Sequence, residues 1–190
     1  MMKSLGARTL AYPTPLFLVG TYDRDARPNI MAAAWAGICC SQPPSIAVSL
    51  RKATYTYRSI TERGAFTISI PSRAYVRQAD YAGIYSGENE DKFASLGLTP
   101  VPGEHVDAPY VGEFPMAIEL KLIHQIEIGL HTQFIGEIMD VKVDESCLRD
   151  DGLPDINKVD PVIFAPVSRE YYAVGEFLAK AFSAGKGLRS

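Results

Sequence analysis

MAIELKLIHQIEI (Met116–Ile128), GLH (129–131) and TQFIGEIMDVKV (132–143) follow one another without a break. In the first half of the first segment apolar and polar residues alternate, the period that sends successive side chains to opposite faces of a strand. The third segment alternates as well. Between them, Gly129-Leu130-His131 is short and led by glycine, as a hairpin connection requires. The pattern predicts two long antiparallel strands joined by a tight turn.

Shorter strand-like runs come earlier. LFLVGTY (16–22) is apolar and β-prone, and Asp23-Arg24-Asp25-Ala26-Arg27-Pro28-Asn29 reads as a turn. A second apolar run (30–36) is rich in small residues. Ser41-Gln42-Pro43-Pro44 breaks the chain before a third strand, SIAVSL (45–50). TYTYRSITE (54–62) predicts a helix, with Thr54 or Thr56 as cap and Arg63-Gly64 as its end. AFTISI (Ala65–Ile70) alternates and stops at Pro71. Residues 75–85 have helical spacing through Val76, Ala79, Tyr81 and Ile84. The stretch 86–112 is rich in glycine, proline and charge, with one short helical piece over 89–96; long irregular stretches in compact domains are often functional. After the long hairpin come strands over Val162–Ala165 and 171–174 and a terminal helix over 176–183.

About seven strands, mostly joined by short turns, with two or three helices predict a mainly β fold: an antiparallel barrel with helices packed outside. A layered α/β sheet is the alternative, but β-α-β alternation occurs only near residues 45–70. Residues 1–190 read as one domain, with an N-terminal arm (1–12) and a helical C-terminal tail (175–190).

Composition narrows the functions. The chain has 190 residues, 47% hydrophobic and 22% charged, so it has ample apolar material to offset the chain entropy lost on folding. Its formal net charge of −3 does not fit a basic nucleic-acid binder. No run reaches the 18 or so apolar residues of a spanning helix, and the first 15 residues lack the apolar stretch of a signal peptide. Three cysteines, Cys39, Cys40 and Cys147, cannot form an even disulfide framework; free thiols in a reducing cytoplasm are the simplest reading. His105, His124 and His131 have no metal-ligand spacing, so no metal site is expected.

The chemistry is concentrated in residues 29–56. Met31-Ala32-Ala33-Ala34 puts small side chains along a strand, where a planar ligand can approach the backbone N–H and C=O groups; close packing of the strand on a helix is the alternative. Ser49-Leu50-Arg51-Lys52-Ala53-Thr54-Tyr55-Thr56 runs from a strand end into a helix start. There the free N–H groups, the helix dipole, two cations and three hydroxyls together suit a phosphate, or simply make a capped helix behind a solvated basic pair. Neither GxxxxGK[ST] nor GxGxxG is present. Trp35, the only tryptophan, can border a ring system or anchor the core. There is no GxSxG or HExxH, and nothing beside Cys39 or Cys40 predicts a depressed thiol pKa. Such a chain fits a protein whose cofactor carries the chemistry.

YPTPLFLVGTYD (12–23), RPNIMAAAW (27–35), CCSQPP (39–44), VSLRKATYT (48–56), AFTISIPS (65–72), ADYAGIYSGENEDKF (79–93), GLHTQFIGEI (129–138) and REYYAVGE (169–176) occur in an order and spacing that resembles the flavin reductase-like, FMN-binding split-barrel family, and within it the flavoredoxin branch. The resemblance spans residues 10–183. It implies a Greek-key split β-barrel, a homodimer and non-covalent FMN near the dimer interface. Asn29, Met31, Ala32, Ala33, Ala34 and Trp35 would then flank the ring and ribityl chain, with Cys39 and Cys40 close to the ring. Ser49, Leu50, Arg51, Lys52, Thr54, Tyr55 and Thr56 would hold ribityl and phosphate, and Tyr85, Ser86 and Lys92 would close over the flavin. His131 corresponds to a histidine on the nicotinamide side in flavin-reductase relatives. Position 31 is often a small hydroxylated residue in the family; Met31 cannot donate the hydrogen bond that such a residue makes.

Three functions follow for comparison. The first is a cytoplasmic flavoprotein that carries electrons between redox partner proteins through FMN. The second is an NAD(P)H:flavin oxidoreductase, and the third a flavin-free binding module.

Overall fold

The computed structural model describes residues 1–188. After an extended, exposed arm the elements are β1 (Thr14–Pro15), β2 (Phe17–Tyr22), β3 (Pro28–Ala33), β4 (Ala36–Ser41), β5 (Pro44–Arg51), α1 (Tyr55–Arg63), β6 (Ala65–Ile70), α2 (Val76–Ile84), α3 (Lys92–Leu96), β7 (Pro100–Pro102), β8 (Pro109–Val111), β9 (Met116–Ile128), β10 (His131–Val143), α4 (Ile156–Val159), β11 (Val162–Ala165) and β12 (Glu170–Ala173).

Seven strands form one antiparallel sheet in the order β3-β2-β6-β9-β10-β5-β4. The two edge strands, β3 and β4, are consecutive in the chain and separated only by Ala34 and Trp35. Three Cα–Cα steps reach no more than about 11 Å. The edges must therefore approach one another, and the sheet curls into a barrel split between β3 and β4. The N–H of Ser49 in β5 donates to the Trp35 carbonyl oxygen at 2.9 Å and pins the connection to the wall.

The barrel is filled by Val19, Val48, Leu50, Ile60, Phe66, Ile68, Leu120 and Phe134. Outside it, α2 and α3 pack on β2 and β3 through Ala79, Ala82 and Phe93 against Leu18 and Ile30. Gly20 allows the β7–β8 region to approach β2, since a Cβ there would lie 2.1 Å from the Pro109 carbonyl oxygen. Helix α1 ends where expected, with Gly64 at φ +64° and its N–H on the Ile60 carbonyl oxygen. A small sheet, β1-β11-β12, stands beside the barrel.

The mainly β antiparallel barrel with peripheral helices is the fold that the sequence predicts. Some elements differ. The strand expected over 30–36 ends at Ala33, and β4, unanticipated, runs through Cys39 and Cys40. Pro44 opens β5 rather than lying in a longer break, because an edge position or first strand residue tolerates a missing N–H. The helix expected over 176–183 is not formed: the chain has no regular structure from 174 to 180 and makes turns to 187. Phe177 and Leu178 are exposed there, and so short a segment does not hold a helix without a surface to bury its apolar face. Of the expected helical tail, residues 189–190 lie outside the described residues. No helix among the described residues is long and apolar enough to cross a membrane.

Candidate functional site

Four chain segments converge on a cavity of about 200 Å³. β3 contributes Met31, the turn into α1 contributes Ala53 to Thr56, the end of α2 and the loop after it contribute Gly83 to Gly87, and α3 contributes Lys92. Met31, Thr54, Tyr55, Thr56, Tyr85, Ser86 and Lys92 thus come together from positions spread over more than sixty residues of sequence.

The α1 N-terminus opens here with its donors unspent by a cap. Thr54 is the N-cap residue, but its hydroxyl donates to the Arg51 carbonyl oxygen at 2.9 Å and makes no cap bond. The Tyr57 N–H donates to the Thr54 carbonyl oxygen at 3.2 Å, so the N–H groups of Tyr55 and Thr56 and the positive end of the helix dipole are what an anion meets here. Lys92 adds a cation. Its side chain is buried, and its ammonium donates to the carbonyl oxygens of Ile30 (2.7 Å) and Ala82 (2.9 Å), which leaves one N–H. Burial lowers its pKa to about 8.

A polar clasp braces the helix start. The Asn29 side-chain amide donates to Thr56 Oγ1 at 3.0 Å, while its buried Oδ1 has no partner among the described residues. Gly87 fits against it: a Cβ at Gly87 would lie 2.1 Å from Asn29 Oδ1 and 2.9 Å from Tyr55 Cδ1. The Tyr55 hydroxyl donates to Asp23 Oδ2 at 2.5 Å, and Asp23 also accepts from the backbone N–H groups of Asp25 and Arg27 and from Arg27 Nε. Burial pushes the Asp23 carboxyl up, but the Tyr55 and Arg27 donors outweigh it and hold it below its ordinary value. Burial and then Asp23 push the Tyr55 hydroxyl up.

An uncapped helix N-terminus and one unspent ammonium N–H make a donor-rich cavity beside a strand of small residues, with the unpartnered acceptor Asn29 Oδ1 behind Gly87 at its border. The donor set matches the chemistry of a phosphate and a hydroxyl-bearing chain, the parts that FMN joins to its ring.

The other anticipated residues lie around this cavity rather than in it. Ala32 faces Gly83 of α2, and Ala33 and Leu50 belong to the core. Ser49 is half-buried in β5, and Ala34 and Trp35 span the split. Trp35 packs on His131, ring centroids 4.6 Å apart. Arg51 is exposed opposite His131. Lys52 is exposed too, its ammonium 2.6 Å from Glu127 Oε1. Cys39 and Cys40 are exposed on β4, and desolvation and then the neighbouring thiol push Cys39 up, away from the thiolate. Sequence reasoning missed Gly83 and Gly87, although a glycine late in a helix and another just beyond it are signals of close approach. Asp23, read only as a turn residue, holds Tyr55.

Residues 8–165 match the family described as flavin reductase like domain. The flavoredoxin of Desulfovibrio vulgaris (Miyazaki F) is 97% identical in sequence and superposes with a TM-score of 0.94 over 98% of this chain and 100% of that one. Flavoredoxin from Methanosarcina acetivorans is 31% identical, with a TM-score of 0.92 over 99% of this chain and 100% of that one. An uncharacterized protein of Archaeoglobus fulgidus is 31% identical over 156 residues, 82% of this chain and 87% of its own length. The chain belongs to the flavin reductase-like family, and its fold is the split barrel of its structural neighbours.

Proposed function

We propose that this member of the flavin reductase-like family binds FMN non-covalently in the cavity between β3, α1 and α2, and carries electrons between redox partners. The observation that carries the reading is the meeting of an uncapped α1 N-terminus with the buried Lys92 ammonium in one cavity. The flavoredoxin that shares 97% of the sequence supports the electron-carrying role.

Bound FMN would supply a ring that takes up and gives back electrons. The chain's own groups would do the rest. The α1 N–H groups and the Thr54 and Thr56 region would hold the phosphate. Met31 and the β3 backbone would line the ring, with the Met31 thioether making contact rather than a hydrogen bond. Lys92 would direct its remaining N–H at a polar atom of the cofactor and raise the local positive potential. Tyr85 and Ser86 would close the cavity on the side away from β3.

A homodimer belongs to the same reading. Ile38, Ile128 and Leu130 are exposed apolar residues on β4, at the end of β9 and in the turn that follows it, and a second copy would cover them. Partner proteins in the cytoplasm would exchange electrons at the exposed flavin edge.

A second reading is NAD(P)H:flavin oxidoreductase, favoured by the family's own description and by His131 packed on Trp35 at the barrel split. The visible spectrum of the purified protein and a rapid mix with NADH and NADPH test both. A flavin spectrum that bleaches slowly or not at all is expected. Rapid bleaching would replace the carrier with the reductase. Protein that stays colourless after FMN addition would favour a flavin-free binding module.

A further inference from the structure

A cavity of about 480 Å³ lies between the small sheet, α4 and one end of the barrel, and shares no lining residue with the cavity at the α1 N-terminus. Pro15, Phe17, Ile70, Met116, Ile156 and Ile163 wall it. Thr14 is its single polar lining residue, and the Thr14 hydroxyl is spent on the Phe164 carbonyl oxygen at 2.9 Å. A small ligand is oriented by a few well-placed polar groups, and no side chain here offers a free one. The cavity asks for apolar side chains instead.

The chain carries such side chains directly beyond it. Val174 lines the cavity, follows β12 and begins the C-terminal arm. On that arm Phe177, Leu178 and Phe182 are 74%, 87% and 99% exposed. An apolar arm thus starts at an apolar cavity and, within its own chain, leaves it uncovered. Exposed apolar groups gathered in this way mark a contact surface. The charges agree. Pro154, Ile156, Val159 and Pro161 belong to the wall, and among them in sequence stands Asp155; the arm carries Lys180. Neither makes an ion pair among the described residues.

Reach and area favour a second copy as the owner of the arm that fills the cavity. Residues 175–188 span about 46–50 Å when extended, enough to cross to a neighbouring molecule. A buried phenylalanine contributes about 150–250 Å², so two per arm in a symmetric pair supply about 600–1,000 Å² before the cavity walls are counted. A stable interface needs about 1,200–2,000 Å² in all.

We infer that the C-terminal arm of one protomer fills this cavity on its partner, with Phe177 and Leu178 between the small sheet and α4 and Lys180 toward Asp155, and that the partner's arm returns the contact. The inference rests on the homodimer reading and adds a contact separate from Ile38, Ile128 and Leu130.

Disulfide trapping tests it on the FMN-loaded full chain. Cys147 is buried, and the exposed thiols are removed by Cys39→Ser and Cys40→Ser. In that background Ile156→Cys and Ala179→Cys are combined; each alone, able to link only like to like, is the control. Mild oxidation of the combined variant is expected to give a covalent dimer that reductant reverses, with little from either control. A link inside one chain, seen as monomer mass with both thiols lost, would overturn the exchanged arm, as would no link or equal dimer from a control. Subunit exchange between isotope-labelled and unlabelled protein, followed by native mass spectrometry, is the second measurement. Phe177→Ser with Leu178→Ser changes only exposed side chains of the single chain, and should speed exchange by about tenfold or more. Unchanged exchange would overturn the proposal. Protein that sediments as a monomer at every concentration would overturn the homodimer reading together with this contact; a dimer without the link would overturn this contact alone.

Discussion

The ammonium of Lys92 lies 2.7 Å from the carbonyl oxygen of Ile30, so α3 is fastened to β3 by a charge that water does not reach. The same group reaches Ala82 of α2 and lines the cavity of α1's N-terminus. One side chain thus ties together the two walls between which FMN is proposed to lie.

Its protonation should set the pH dependence of binding. In the unfolded chain this amine keeps its proton up to 10.5; in the fold it loses it near 8. Between those values the unfolded state binds more protons, so this group makes stability rise with pH. Anion binding has the opposite sign, because a bound phosphate ester favours the charged amine. The FMN dissociation constant, followed by flavin fluorescence, should rise as pH passes 8, and Lys92→Met should flatten that rise.

Gly87 should tolerate no side chain. A methyl group there meets Asn29 Oδ1 at 2.1 Å and must displace Asn29 or Tyr55. Gly87→Ala should cost roughly 1–3 kcal/mol in chemical denaturation and also weaken FMN binding. Gly20→Ala is the control. Its methyl group meets the Pro109 backbone at 2.1 Å, and neither Gly20 nor Pro109 lines the cavity, so it should destabilise at least as much yet leave the folded fraction's FMN affinity unchanged.

Asp23→Asn should cost on the order of 2–4 kcal/mol, since a buried carboxylate that accepts four hydrogen bonds is replaced by an amide. The Asp23 carboxyl is held below its ordinary 3.8, so its stabilisation is complete above that value and is lost as pH falls through the depressed folded value. The acid limb of a stability–pH curve should flatten in the variant.

Lys52→Ala should change FMN affinity by no more than about twofold, because the ammonium is exposed and already paired with Glu127. A loss comparable to that of Lys92→Met would return Lys52 to the phosphate site.

Much of this was legible in sequence because it is periodic or local. Alternation marked β9 and β10, and Gly64 marked the end of α1. The phosphate corner was legible as a strand running into a helix start, but the role of its cations was not. Whether Lys52 faces a ligand or Glu127 depends on a strand 75 residues away. Lys92 was placed at the site by resemblance; that its charge is buried against two carbonyl oxygens depends on how α3 meets β3 and α2. The terminal helix failed for a related reason. Its spacing is helical, but the fold offers Phe177 and Leu178 no surface.

The barrel split has a practical corollary. Its rim carries the chain's sole indole. Indole emission from this molecule, excited selectively over its ten tyrosines, therefore originates at one spot, beside the β10 imidazole. Any event that alters that spot, whether cofactor loading, ligand entry or subunit closure, becomes observable without a label.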